Sequence, residues 1–160
     1  MIRLKGQFTI KHIRDGKLLG TYKVPNGITN EGKDKLLNIM FHGATPIATW
    51  YIGLIDAASY SALSAGDTMA SHAGWIELED YDEAARQAWS EDEASGKLIT
   101  YTALSTFTIS DTKTIKGLFI TSDSTKGGTS GTLWSAGIFT TTIEVVDNDT
   151  FECSYEVEVQ

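Results

Sequence analysis

Gly6 to Gly27 reads GQFTIKHIRDGKLLGTYKVPNG. Two runs in which polar and apolar residues alternate flank Asp15-Gly16. Alternation sends successive side chains to opposite faces, so each run suits a strand with one buried face. Asp-Gly accepts the positive φ angles of a type I′ turn, which makes the stretch a predicted hairpin. Pro25-Asn26-Gly27 then predicts the stop of the second strand.

Working outward, TNEGKDKLLNIMFHG (29–43) predicts a helix. Asn30 suits the N-cap and Glu31 lies near the positive end of the helix dipole. Leu36, Leu37, Met40 and Phe41 predict one apolar stripe, and Gly43 a C-terminal stop. A single helix of this kind is expected to plug one end or one face of a sheet. Thr49 to Asp56, TWYIGLID, reads as a short buried strand. The segment 57–96 lacks a period-2 signal and is too long for a plain connection, so it is expected to be an organised loop insertion. Ala84, Ala85 and Ala88 favour a short helix near Asp82 to Ala88.

The second half is rich in β-forming residues. KLITYTALSTFTI (97–109) and TIKGLFITS (114–122) predict strands joined around Ser110 to Lys113. GTLWSAGIFTTTIEVV (131–146) and TFECSYEVEV (150–159) predict a final hairpin through Asp147-Asn148-Asp149. Ser124 to Gly131 reads as a loop. The expected fold is all-β with one short helix. Its seven or eight strands suit a two-sheet sandwich or jelly roll in a single domain spanning 1–160, with the loop insertion at 57–96.

The totals bound the function. The 160 residues carry 21 acidic and 13 basic side chains, a net charge of -8. Nucleic-acid binding is driven by clustered Lys and Arg, so a phosphate backbone is not an expected partner. No run approaches the roughly 18 apolar residues of a membrane span. The start, MIRLKGQFTIKH, alternates where a secretory leader would form an apolar block. The single cysteine, Cys153, shares an alternating face with Phe151, Tyr155, Val157 and Val159, which predicts a buried structural thiol.

No residue set predicts a reaction, a resident metal or a cofactor. Ser71 and His72, with Asp67 nearby, are the residue types of a triad, but they lack a nucleophile elbow. Adjacent residues on a strand would also point apart. His12, His42 and His72 lack zinc-ligand spacing. Asp147 and Asp149 could take calcium adventitiously, against the reading as a solvated turn. The many carboxylates single out no pair for glycoside hydrolysis, and KGGTSGT lacks the order of a phosphate loop. Trp75, Tyr81, Arg86 and Trp89 are left, within DTMASHAGWIELEDYDEAARQAW (67–89). These types anchor interfaces because they bury much area and keep a polar tip. They are candidate partner-binding residues; the alternative is that they fold the insertion back onto its own sheet.

Four pieces together resemble small virion structural proteins of tailed bacteriophages. They are NGITNEGKDKLLNIMF, WYIGLID, the 67–89 stretch with its S-H-A-G-W segment, and KGGTSGTLWSAGIF. A Y-x-x-x-x-R-x-x-W run falls on Tyr81, Arg86 and Trp89. The pieces span about Asn26 to Phe139. The resemblance implies a non-enzymatic capsid decoration (cement) protein or a small tail or connector component. It implies many copies, as dimers or trimers, on the outer surface of the virion against the major capsid protein, after synthesis in the bacterial cytoplasm. It carries no active-site residues. A reading from another class is a surface carbohydrate-binding jelly-roll module, with Trp75 and Trp89 stacked on sugar faces.

Overall fold

The computed structural model describes all residues, Met1 to Gln160. Strands β1 (Leu4–Arg14) and β2 (Lys17–Ile28) form the expected hairpin. Asp15 and Gly16 take φ angles of 50° and 73°, as a type I′ turn requires. The second strand does not stop at Pro25. It runs on to Ile28, with Pro25 opposite Gln7. On its other side β2 meets a neighbour only at Gly27 and Ile28. Pro25 therefore lies beside an unpaired stretch, where a missing N–H is tolerated.

The other strands are β3 (Trp50–Asp56), β4 (Glu77–Leu78), β5 (Gln87–Glu91), β6 (Leu98–Ile99), β7 (Tyr101–Ala103), β8 (Ser105–Thr108), β9 (Lys113–Thr121), β10 (Leu133–Val145) and β11 (Thr150–Val159). The architecture is all-β with one short helix, but it is not a two-sheet sandwich or a jelly roll. It is a single antiparallel barrel of nine strands, nearly closed, in the order β6-β11-β1-β2-β10-β9-β3-β5-β7. β4 and β8 pair off this path with β3 and β11.

Two pairings overturn the sandwich. First, β10 and β11 do not form a hairpin. β11 pairs with β1 from Leu4↔Val159 to Ile13↔Thr150, while β10 pairs with β9 and the end of β2. The β1–β2 hairpin thus lies between two strands that are neighbours in sequence. Second, the strand predicted over 97–109 breaks into three. β6 and β8 pair with β11, whereas β7 between them pairs with β5. The Ser105 hydroxyl also donates to the Ala88 carbonyl at 2.7 Å. One segment thereby ties the two edges of the sheet, which leaves only the short strands β6 and β7 at its ends. Irregularities in register supply curvature. Along β10 the pairing passes from Ile138↔Gly117 to Ile143↔Ile115, so β10 advances five residues while β9 advances two.

The helix α1 (Asn30–Phe41) begins at Asn30 itself, so its cap lies one residue earlier than expected. Thr29 is the N-cap, and its hydroxyl oxygen accepts from Gly32 N–H at 3.0 Å. Glu31 accepts from Leu133 N–H at 2.6 Å, which pins the first turn to β10. Gly43, at φ 69°, lets Ala44 N–H return to the Asn38 carbonyl and ends the helix as expected.

The 57–96 segment is partly sheet. The helix expected near Asp82 to Ala88 does not form; residues from Gln87 onward are β5, with Trp89 opposite Trp50 and Gln87 opposite Ile52. Alanine's helix preference is worth less per residue than this pairing. The apolar side chains form two clusters. The barrel interior holds, among others, Phe8, Ile10, Leu54, Phe107, Leu118, Phe151 and Cys153, so the thiol is buried. A smaller cluster of Ile55, Met69, Trp75, Phe119, Leu133 and Ala136 lies where the insertion covers the outside of the wall. Gly53 is needed there, because a Cβ would sit 2.3 Å from the Phe119 ring.

Candidate functional site

The four candidate partner-binding residues are all buried, between 1% and 6% exposed. The Trp75 indole stacks on His72 at 3.9 Å, packs on Phe119 and donates Nε1–H to Asp67 at 3.0 Å. Arg86 forms a two-pronged pair with Glu77 at 3.0 and 2.7 Å. It also donates to the carbonyls of Asp123 and Gly128 and lies 5.2 Å over the Phe119 ring. Tyr81 packs edge-on against Phe107, with the Lys126 ammonium 4.0 Å above its ring. Burial and the nearby Glu77 charge push its phenol well above the ordinary range. Trp89 packs against Tyr155, and its Nε1–H has no acceptor. In this chain these residues lock the insertion and the 122–132 loop onto their own barrel. Trp75 presents no face for a sugar to stack on.

The triad types do not converge. His72 Nδ1 lies 3.0 Å from the Trp75 carbonyl oxygen, and Asp67 accepts from the Ser64 backbone and the Trp75 indole. Asp149 is not part of a solvated turn. It is fully buried, 2.7 Å from His12 Nε2, and accepts from Arg14 at 2.7 and 2.8 Å and from Val146 N–H. Burial pushes its pKa up, but the bonds from Arg14, His12 and Val146 outweigh that and hold it at about 2. This cluster seals the β1–β2 turn end of the barrel.

The opposite end carries α1. Only Gly32 of the helix is buried, because a Cβ there would meet the Trp134 carbonyl at 2.7 Å. The expected single stripe divides into two faces. Leu36 and Ile39 turn inward. Leu37, Met40 and Phe41 point out, 54%, 64% and 81% exposed. Residues 37, 40 and 41 share one helical face, so they form a continuous apolar patch. Beneath the inward face is a cavity of about 420 Å³. Its walls come from α1, from Pro46 and Ile47, and from β1, β3, β5, β6, β9, β10 and β11. Contributions from so many strands place it at the mouth of the barrel. Sequence reasoning missed both features. The signal was present: Leu36, Leu37, Ile39, Met40 and Phe41 are more apolar side chains than one helical stripe can bury.

The site is therefore the helix-covered mouth of a nearly closed antiparallel barrel, apolar on both sides of its covering helix. No protein-family model matches this sequence, and no curated protein matches it.

Proposed function

We propose that this protein is a structural component of a tailed-bacteriophage virion that acts by binding, as a decoration protein cementing neighbouring major capsid subunits from outside. The observation that carries this reading is the patch of Leu37, Met40 and Phe41. A monomer gains nothing by holding three large apolar side chains in water at one helical face, whereas an interface buries them. The sequence resemblance supplies the partner, since its first piece, NGITNEGKDKLLNIMF, includes this helix. Burial of the patch contributes about 25 cal/mol per Å² of apolar area, less the cost of association. A few kcal/mol per copy, repeated over a shell, would resist internal pressure.

The test mixes the purified protein with undecorated capsids and follows binding and the temperature of shell rupture. The wild type is expected to bind and to raise that temperature. The Met40→Glu/Phe41→Glu variant is expected to fold as the wild type and lose binding at least tenfold. Absence of wild-type binding, or binding with no change in rupture, overturns the reading. Copy number separates shell from tail: a cyclic tail or connector part would be present at about six or twelve per particle.

A further inference from the structure

We propose that the cavity beneath α1 binds a small amphipathic anion, an aliphatic carboxylate whose chain enters the barrel mouth and whose headgroup stays at the opening. Its volume of about 420 Å³ falls in the range of roughly 300–1,000 Å³ typical of small-molecule sites. Its walls are apolar, with Leu36 and Ile39 above and Trp50, Ile99, Ile120 and Trp134 among those below. Because the strands that supply the lower walls are held in one sheet, that side of the cavity is preformed.

The charge at the opening selects the headgroup. The chain carries a net charge of -8, yet the only charged residues on the cavity are Lys35 and Lys97. Neither ammonium has an acidic partner within ion-pair distance, in contrast to Arg14, Arg86 and Lys113. The two come from separate elements, α1 and the Gly96-Lys97 turn before β6. Lys97 is held at φ 71°, a left-handed conformation uncommon for residues other than glycine, in the turn bridged by Ser95 and Leu98. Two cations without acidic partners on one apolar cavity give its opening a positive charge that an anionic headgroup neutralises. An uncharged apolar ligand would leave the lysines unused, and a cationic one would be repelled.

The experiment uses the full chain and three probes of equal tail, below their micelle concentrations: dodecanoate, dodecanol and dodecyltrimethylammonium. Trp50, Trp89 and Trp134 line the cavity and Trp75 does not, so quenching by a bromine-bearing dodecanoate reports entry. Calorimetry is expected to give one dodecanoate site per chain, about tenfold tighter than dodecanol, with the trimethylammonium probe weakest. Lys35→Gln/Lys97→Gln is expected to lose that tenfold preference while its dodecanol affinity and circular dichroism stay unchanged. Ala94→Trp, which fills part of the opening, should weaken all three probes. No saturable quenching of the wild type overturns the proposal. So does equal binding of the three probes, or an undiminished carboxylate preference in the double lysine variant.

Discussion

The two ends of the barrel are closed by different means. At the β1–β2 turn end, Asp149 is buried among His12, Arg14 and the Val146 N–H, and its contacts with the two side chains are short, at 2.7 to 2.8 Å. At the other end a helix lies over the mouth, anchored at its first turn through Thr29, Glu31 and Gly32. Beyond that turn it leaves a cavity below and three apolar side chains above. The bonded end specifies one arrangement, because a buried charge tolerates no slack. The covered end relies on apolar contact, which is non-directional and leaves room for an occupant. The barrel wall under the insertion follows the first pattern, with Arg86 fully partnered by Glu77 and two carbonyls.

The contrast can be broken by substitution. Arg86→Ala should cost the most, about 3–5 kcal/mol, because it strands the buried Glu77 carboxylate. Urea unfolding measures this; a loss below about 1 kcal/mol would mean that the wall is no better bonded than the mouth. The bonded end should also show in the acid limb of stability. Asp149 moves from an ordinary 3.8 to about 2 on folding. A lowered carboxyl pKa stabilises the fold fully above about 4, and that contribution of about 2 kcal/mol is lost as pH falls towards 2. Asp149→Asn should flatten this part of the profile, and an unchanged acid limb would remove the cluster from the account.

At the mouth, Leu36→Ala should cost only about 1 kcal/mol, below the 2–5 kcal/mol of a close-packed leucine, since it enlarges a cavity already present. Leu36→Phe, which fills space, should be neutral or stabilising. A cost from Leu36→Ala as large as that from Arg86→Ala would show that the helix seals as tightly as the bonded regions. Smallest of all, Phe41→Ser should change stability by no more than about 0.5 kcal/mol, because the ring is already in water.

Legibility in the sequence followed the range of the interaction. The first hairpin was readable because Asp15-Gly16 fixes its own turn. The helix stop at Gly43 and the strand over Trp50–Asp56 were readable for the same local reason. The barrel was not, because the pairing of β11 with β1 joins residues about 150 positions apart and no residue type encodes it. Nor could the repeated threonines and apolar residues of 98–108 reveal that β7 would cross to β5 between two stretches paired to β11. Trp75, Tyr81, Arg86 and Trp89 were recognisable as anchors, but their surroundings had no sequence signal. Arg86 meets carbonyls 37 and 42 residues further along.

By itself, then, the sequence determined the β content, the one helix, the tight turns and the acidic balance, all properties of neighbours along the chain. Tertiary structure alone decided that the sheet curls into a barrel, that the anchors are buried against their own chain, and that the helix carries two apolar faces. Those outcomes depend on which distant strands exchange hydrogen bonds and on how much volume remains when they do, quantities that exist only once the chain has closed on itself.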